Sequence, residues 1–440
     1  MSPRRPKDVQ FETPKGSVVM LEESHDLPMV DFEIALRTGG VHDPVGREGL
    51  TRLTYGLARS GTGSLGRHEV EDALAGLGAR LGVETGVSYV RFQGVVIRRN
   101  LERFVELLAA LVLDPSFRAK DLAYLKRETL SDLVAMRDND RALGGRSFRR
   151  HLFGDHPYGR SIAGRRASVR AIKRADVVQH HRDHVVGPNM VIGAAGDVTR
   201  AELEALVDRH FSRVPKRKAP RDRVGAPKIP RGRRVLIVDK PERTQTQLFI
   251  GTLGSRVDDP WLYPLTVANT AFGGTFTARL MNEVRSKRGW SYGAYSRLGE
   301  ERQRDAWYMW TFPAAKDAAA CAQLELELLD QLLDDGLGAG EIKFAKNHLV
   351  HGHCFEIDTA AKRLEARMDC EVYGLPPDHW RQFTKRVRQV KRAEANEALK
   401  KRLSARDLAI VVVATAKDVR KDFEALPGVT SVEVVPYDRV

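Results

Sequence analysis

Hydrophobic and polar positions alternate along residues 11–40, a pattern that predicts strands rather than helices. Within this stretch, residues 11–20 indicate a hairpin and residues 30–37 a strand with one buried face. Glycines and an Asp-Pro pair then interrupt the alternation before a helix that begins at Gly49. Farther along, the pattern predicts a helix over 68–78, a strand pair over 83–97, helices over 100–114 and 119–138, a mostly helical stretch over 167–184, a strand over 189–195 and a helix over 200–211.

A repeat links the two halves of the chain. Residues 248–260 resemble residues 32–44, and residues 407–419 resemble residues 189–198. Matching aspartates in these two pairs of segments lie 216 and 221 residues apart. Two similarities at nearly the same offset indicate a duplicated domain of about 200 residues.

A basic, proline-rich segment separates the two copies. Residues 215–234 contain four prolines and no hydrophobic period, so they are expected to form an interdomain linker. The predicted domains are therefore residues 1–214 and 235–440. We expect an α+β fold of two homologous α/β-sandwich domains, each with an antiparallel-rich mixed sheet and helices.

Composition narrows the class of protein. The 440 residues are 42% hydrophobic and 30% charged, which is typical of a globular protein. No apolar run approaches the ~20 residues of a membrane-spanning helix, so no membrane insertion is expected. The net charge is +14, but lysines and arginines are interleaved with acids along the whole chain. We therefore expect acidic peptides or partners rather than nucleic acid.

The cysteines indicate the compartment. There are only three, Cys321, Cys354 and Cys370, and their spacing is not that of a disulfide framework. An odd number of widely spaced cysteines favours a reducing environment. The expected location is the cytoplasm, or the periplasm if an export signal has been removed.

Residues 49–62 read Gly-Leu-Thr-Arg-Leu-Thr-Tyr-Gly-Leu-Ala-Arg-Ser-Gly-Thr. Together with the duplication and the His-Pro-Tyr-Gly-Arg loop at 156–160, this stretch resembles the pitrilysin/insulinase-type zinc peptidases. Size and layout resemble the short, two-subunit branch that includes mitochondrial-processing-peptidase-like proteins, in which two such chains form a clam-shell dimer. The resemblance covers nearly the whole chain.

The resemblance also implies that the zinc site is lost. Family enzymes carry H-x-x-E-H on this helix, with two histidine ligands on one helix face and a glutamate that serves as general base. Here Arg52, Tyr55 and Gly56 occupy those three positions. The third family ligand is a glutamate seven residues after a position that Glu128 matches, and this chain has Ala135 there. Asp132 alone, without histidine partners, would make a poor zinc site.

A second family motif is retained. Residues 272–293 look like the family's C-terminal motif, in which an arginine and a tyrosine lie seven residues apart, and Arg285 and Tyr292 match them. In family enzymes this pair lies across a cavity from the zinc, holds the substrate's carbonyl and stabilises the oxyanion. A guanidinium fork and a phenol are both donors that suit such a charge. The alternative is that Arg285 ends a helix and Tyr292 precedes a strand, with no further role.

The expected function is that of a non-catalytic subunit in a heterodimeric zinc metallopeptidase. This chain would hold no metal, and a sister chain bearing H-x-x-E-H would carry the zinc. The strand around Val83 and Thr85 resembles the family's edge strand, which binds unfolded peptides. One alternative is a structural or peptide-binding relative without a catalytic partner. Another is an independent hydrolase, which requires a nucleophile and base that the sequence does not indicate.

Overall fold

The computed structural model describes residues 9–220 and 224–439. Its strands are β1 (Val9–Glu12), β2 (Val18–Glu23), β3 (Met29–Leu36), β4 (Arg80–Thr85), β5 (Val90–Ile97), β6 (Met190–Gly196), β7 (Arg233–Asp239), β8 (Gln247–Leu253), β9 (Ala294–Leu298), β10 (Ala306–Thr311), β11 (Leu408–Ala414) and β12 (Val429–Pro436). Its helices are α1 (Leu50–Ala58), α2 (Arg67–Gly76), α3 (Leu101–Leu113), α4 (Ala119–Ala135), α5 (Asp140–Phe153), α6 (Arg166–Ala171), α7 (Arg174–His184), α8 (Arg200–Phe211), α9 (Leu262–Asn269), α10 (Arg279–Met281), α11 (Ala318–Asp334), α12 (Ala339–Gly352), α13 (Ala360–Tyr373), α14 (Phe383–Gln389), α15 (Arg392–Arg402) and α16 (Ala416–Glu424). Within the described residues, no helix has the length and apolar character needed to span a membrane.

The chain forms two compact units that exchange segments of sequence. The described residues of unit 1 are 9–133, 161–220 and 354–380, and those of unit 2 are 134–160, 224–353 and 381–439. Helix α5 therefore belongs to unit 2, and α13 belongs to unit 1. The sequence predicted two domains that are each continuous in the chain, so it did not predict this exchange of segments.

Unit 1 is built on a six-stranded mixed sheet with the order β1-β2-β6-β3-β5-β4. The predicted hairpin is present as the antiparallel pair β1 and β2. Strands β2 and β6 are parallel, whereas β3 lies antiparallel between β6 and β5. β4 pairs with β5 at the end of the sheet.

Unit 2 repeats this arrangement with a sheet of order β12-β7-β11-β8-β10-β9. β3 is antiparallel to β6 with Ile34 opposite Ile192, and β8 is antiparallel to β11 with Ile250 opposite Ile410. These strands contain the repeated segments, so the predicted duplication and α+β fold are confirmed. The outer strands differ, because β1 is antiparallel to β2 whereas β12 is parallel to β7.

One face of each sheet packs on the main helical core, and an exchanged helix covers the other face. In unit 1, apolar residues of α13 contact small and apolar residues of β2, β3 and β6, namely Leu364, Met368, Val372, Met20, Ala35, Val191 and Ala195. The buried Glu22 of β2 pairs with Arg367 at 2.7 Å and with Arg363 at 3.4 Å. Helix α13 is thus held by both apolar burial and ion pairs.

In unit 2, α5 occupies the corresponding place on the second sheet. Phe148 stacks on Phe249 of β8, with ring centroids 6.0 Å apart. A Cβ atom at Gly144 would lie 2.6 Å from the Phe249 ring, so only glycine allows this close approach of helix and strand.

The predicted linker is shorter than expected. Residues 221–223 lie outside the described residues, and the segment on either side has no helix or strand until Arg233. Arg233 and Arg234, assigned to the linker from the sequence, are the first residues of β7. The predicted end of the linker was wrong, because Arg233 is 8% exposed and pairs with Asp330. The sequence showed only a run of basic residues at this point, and such a run does not indicate a buried strand.

The His-Pro-Tyr-Gly loop lies in unit 2 and has a structural role. Tyr158 is 2% exposed, and its hydroxyl accepts a hydrogen bond from the backbone N–H of Gln303 at 2.9 Å. The His156 ring is hydrogen-bonded to the carbonyl of Gly225 at 2.9 Å. These bonds fix the loop onto two segments of unit 2.

We expect Tyr158→Phe to lower the free energy of unfolding by about 1 kcal/mol, because it removes one buried hydrogen bond and no apolar volume. Urea denaturation of the purified chain measures this. Tyr124→Phe, at an exposed position on α4, is the matched control and should have no effect. Equal stabilities for the two variants would contradict the assigned role of the loop.

Candidate functional site

The helix that the sequence analysis predicts to be a degenerate zinc helix is α1, and a buried aspartate fixes its first turn. Asp43 accepts hydrogen bonds from the backbone N–H of Gly49 at 2.7 Å and of Thr51 at 2.8 Å, and from the Thr51 hydroxyl at 2.6 Å. Burial raises the pKa of this carboxyl to about 6. Asp43 therefore satisfies the N–H groups that a helix leaves free at its start.

The retained residues of the 49–62 stretch are those that the backbone requires. Gly49 has a φ of +96°, and its Cβ would lie 3.1 Å from the carbonyl oxygen of Ala163. A Cβ at Gly61 would lie 2.8 Å from the Leu65 carbonyl oxygen. The Thr62 hydroxyl accepts the backbone N–H of Leu65 at 3.0 Å. Gly49, Gly61 and Thr62 therefore have structural roles that do not require a bound metal.

The positions that carry chemistry in the family have different surroundings here. Arg52 is partly exposed, and its Nη2 lies 3.8 Å from a carboxylate oxygen of Asp132 on α4. At this distance and exposure the ion pair contributes little to stability. Asp132 thus faces a cation, and in the part of the chain that the structure describes it belongs to no group of three His, Cys, Asp or Glu that could hold a metal.

Tyr55 is part of the core rather than of a site. It is fully buried among Phe92, His180 and His181, with ring centroids 6.1–6.5 Å away, and its hydroxyl has no hydrogen-bond partner among the described residues. Burial raises its pKa well above the ordinary value. A glutamate general base would not be tolerated there without rearrangement of α1 and α7.

The donor set at this site does not fit zinc. Gly56 has no side chain and therefore offers no metal ligand. Ala135 is the last residue of α4 and offers no ligand. Zinc requires three or four N, S or O donors, and no group of three His, Cys, Asp or Glu suitable for a metal occurs in residues 9–220 and 224–439.

We expect the purified chain to contain far less than one zinc per molecule, and added zinc to leave its thermal unfolding unchanged. Elemental analysis after dialysis, together with melting curves with and without zinc, measures this. A stoichiometric zinc that is lost in the double variant R52A/D132A would contradict the expectation.

The Arg285 and Tyr292 pair predicted from the sequence is brought together in unit 2. Arg285 lies in the π-helical turn Asn282–Ser286, and Tyr292 lies just before β9. The guanidinium carbon is 4.4 Å from the centroid of the Tyr292 ring and 4.5 Å from that of Phe276. Both rings are exposed, Tyr292 by 75% and Phe276 by 61%. The arginine is therefore held between two aromatic rings at the surface of the unit.

One guanidinium nitrogen of this pair is unpaired among the described residues. The Nη1 of Arg285 is buried and has no hydrogen-bond partner among the described residues. A buried, unpaired guanidinium N–H is unfavourable unless a ligand pairs with it. The chemistry of the pair suits a carbonyl oxygen or an oxyanion, since a guanidinium and a phenol both donate hydrogen bonds and the two rings restrict the plane of the guanidinium.

Sequence reasoning missed Phe276. The residue lies in the stretch that carried the resemblance, but a phenylalanine two residues after a glycine pair gives no signal of its own. Its contact with Arg285 arises because the chain turns between residues 275 and 285, and this turn is seen only in the structure.

The candidate peptide-binding residues Val83 and Thr85 lie on β4, as predicted. They pair with Phe92 and Val90 of β5, and Val83 packs against the core. In the described part of the chain, no further strand pairs with the outer edge of β4. Such an edge presents main-chain donors and acceptors to an added strand.

Comparison with known proteins places the chain in a family. The model described as Insulinase (Peptidase family M16) matches residues 18–166, and that described as Peptidase M16 inactive domain matches residues 171–349. An uncharacterised zinc protease of Mycobacterium bovis is 30% identical over 301 residues, which are 67% of this chain and 68% of that protein. A non-peptidase homolog from Helicobacter pylori is 21% identical over 91% of this chain and 92% of its own length.

Solved structures show the same fold. A Pseudomonas fluorescens protein described as a peptidase M16 inactive domain superposes with a TM-score of 0.86 at 23% identity, and the match covers 98% of each chain. A protease from Helicobacter pylori gives 0.84 at 14% identity, over 93% of this chain and 99% of that one. The chain is thus a two-domain mixed α/β protein. It belongs to peptidase family M16, which confirms the resemblance found in the sequence.

Proposed function

We propose that this chain is the non-catalytic subunit of a heterodimeric zinc metallopeptidase. It binds a sister chain that carries H-x-x-E-H and supplies Arg285 and Tyr292 to the shared site. The observation that carries the proposal is the aromatic clamp on Arg285, whose Nη1 is buried and unpaired among the described residues, in a chain whose own zinc positions hold Arg52 and Gly56. Surface aromatics around an unpaired donor are hard to explain by stability alone.

The role of the pair follows from its chemistry. Peptide hydrolysis develops negative charge on the scissile carbonyl oxygen, and donors fixed in advance toward that charge lower the barrier most. Phe276 and Tyr292 restrict the guanidinium plane, so little conformational entropy is lost when the oxyanion forms. The phenol of Tyr292 is exposed and supplies a second donor.

Reconstitution tests the proposal. The chain is co-expressed with a chain bearing H-x-x-E-H, preferably one encoded next to it, and the mixture is analysed by size exclusion and by cleavage of fluorogenic peptides. We expect a one-to-one complex that cleaves peptides, and no cleavage by this chain alone. A partner that is fully active alone and does not bind this chain would overturn the proposal, as would chelator-sensitive cleavage by this chain alone.

A second candidate function is peptide binding without a catalytic partner. The observation that favours it is the outer edge of β4, which carries Val83 and Thr85 and pairs with no other strand of the described residues. Main-chain hydrogen bonds at such an edge bind extended peptides with loose sequence preference. Calorimetry with unfolded acidic peptides tests it. Binding by the isolated chain with no catalytic complex found would favour this candidate, whereas no binding by either the chain or the complex would exclude it.

A further inference from the structure

A pocket of about 460 Å³ lies within unit 1, between the end of α3, helix α7 and the segment that follows α8. Cavities of this size are in the range that holds small organic molecules. Its apolar wall is formed by side chains from α3, from the turn after it and from α7, namely Leu113, Phe117, Val178 and Val185. The pocket therefore has the size and the lining of a site for a small, largely apolar ligand.

Two exposed arginines, Arg182 and Arg213, also line the pocket. Neither side chain has an ion-pair or hydrogen-bond partner among the residues that the structure describes. His181 adds no charge, because its Nε2 donates to the Val112 carbonyl at 2.7 Å and burial lowers its pKa. Asp114 is the acidic residue of the lining. The pocket thus places two available positive charges and one negative charge beside its apolar wall.

Phe117 lines the pocket in a strained backbone conformation. Its φ is +43°, which is unfavourable for a bulky residue. Its ring is 5% exposed and lies 5.1 Å from the His181 ring, and its carbonyl accepts a hydrogen bond from Nε of Arg174 at 2.6 Å. In unit 2, where α11 follows β10 as α3 follows β5, the turn after α11 has its positive φ at a glycine, Gly336. The repeat can therefore form this turn without strain, so the pocket wall explains Phe117 better than the turn does.

We propose that this pocket binds a small amphipathic carboxylate, a molecule with a hydrocarbon body and one terminal carboxylate group. The hydrocarbon body packs on the apolar wall and supplies most of the affinity. The carboxylate pairs with Arg182 and Arg213, since the planar fork of a guanidinium matches the geometry of a carboxylate. A purely polar anion would leave the wall in contact with water, and an uncharged hydrocarbon would leave both guanidinium groups unpaired. This site lies within unit 1 and depends on neither the catalytic proposal nor the β4 edge.

Isothermal titration calorimetry of the whole chain with octanoate tests the proposal. We expect saturable binding with a negative change in heat capacity, which is the mark of buried apolar surface. Hexanoate should bind about tenfold more weakly, because two buried CH₂ groups are lost. Octanol carries only the hydrocarbon and inorganic phosphate carries only the charge. Neither should saturate the chain at the concentrations at which octanoate does.

Variants of the lining residues locate the site. Arg182→Gln and Arg213→Gln each remove one exposed charge and should each weaken octanoate binding about threefold. Asp114→Asn removes the opposing charge and should strengthen binding about twofold. Val178→Phe fills part of the cavity and should weaken the binding of octanoate more than that of hexanoate. Arg103→Gln, at an exposed position of α3 that does not line the pocket, is the matched control and should leave the affinity unchanged.

Three results would overturn the inference. The first is equal affinity for octanoate in Arg182→Gln, Arg213→Gln and Arg103→Gln, and the second is binding of octanol as tight as that of octanoate. The third is binding of inorganic phosphate as tight as that of octanoate, which would indicate a simple anion site. If Val178→Phe fails to fold by circular dichroism, the exposed arginine variants decide alone. Zinc content and complex formation are measured separately, so failure of this inference leaves the proposed function standing.

Discussion

Replacing Tyr292 by phenylalanine should lower kcat of the reconstituted heterodimer by about 10²–10³-fold, equivalent to about 3–4 kcal/mol of transition-state stabilisation. The substitution deletes one hydroxyl and almost no volume. The phenylalanine ring can still stack on Arg285, as Tyr292 does at 4.4 Å, so the arginine keeps its position. Since the phenol bond matters most when the oxyanion forms, KM should change far less than kcat.

Steady-state kinetics and size exclusion on the same preparation measure this effect. The complex should assemble with unchanged stoichiometry, because Tyr292 is 75% exposed and contributes little to folding of unit 2. Tyr124→Phe, on an exposed face of α4, is the matched control and should retain full activity. An unchanged kcat for Tyr292→Phe would show that this subunit takes no part in catalysis.

The same geometry predicts that lysine cannot replace Arg285. The planar guanidinium fits between the rings of Phe276 and Tyr292 and presents several donors in a fixed fork. An ammonium group is a point charge on a flexible stem and would not keep this orientation. Arg285→Lys should therefore lose activity to an extent similar to Tyr292→Phe, although it conserves the charge.

Much of the fold followed from local patterns. The hairpin over 11–20, the strand over 30–37 and the strand pair over 83–97 were predicted because alternation of polar and apolar residues directly reflects one buried sheet face. The duplication was visible because β3 and β8, and likewise β6 and β11, keep similar residues at similar positions in their sheets. Each of these features is set by a short segment, and the hydrophobic pattern of that segment alone is enough to predict it.

The exchanged helices did not follow from local patterns. Helix α5 contains Gly144 and Gly145, which weaken helix propensity, and its glycine at 144 is explained only by the Phe249 ring against it. Helix α13 packs on β2 and β6, more than 160 residues earlier in the chain. Contacts between residues so far apart in the sequence produce no periodic pattern. The sequence therefore does not indicate which strands the helix packs on.

The sequence indicated which residues form the candidate site, but it did not indicate their geometry. Spacing indicated Arg285 and Tyr292, and substitution at four positions predicts that the zinc site is lost. Neither observation indicated that Phe276 completes an aromatic clamp, or that Tyr55 is a core residue with a buried hydroxyl. Those facts depend on tertiary packing, which the residue types alone do not specify.

The ion pair between the buried residues Arg91 and Glu33 leads to the largest expected effect on stability. Arg91, on β5, is 3% exposed and contacts three carboxylates: Glu33 at 3.3 Å, Glu365 at 3.0 Å and Asp369. Two of these acids lie on α13, so the arginine joins the exchanged helix to the first sheet. Arg91→Met keeps the aliphatic stem but leaves the acids without their cation. We expect a loss of about 3–5 kcal/mol in the free energy of unfolding at pH 8, because a buried pair is broken from one side.

The pH dependence distinguishes this cause from lost packing. Burial raises the pKa of Glu33 to about 7, and Arg91 opposes that rise. Without Arg91 the folded-state pKa moves higher still, so protonation of Glu33 relieves the penalty as the pH falls through and below 7. The difference in the free energy of unfolding between Arg91→Met and the unmodified chain should therefore shrink between pH 8 and pH 5 in urea denaturation.

Arg200→Met, which removes an exposed pair with Glu204 on α8, is the control and should lower the free energy of unfolding by no more than about 0.5 kcal/mol at either pH. A penalty for Arg91→Met that stays constant from pH 8 to pH 5 would mean that the arginine acts through its packing and not through its charge.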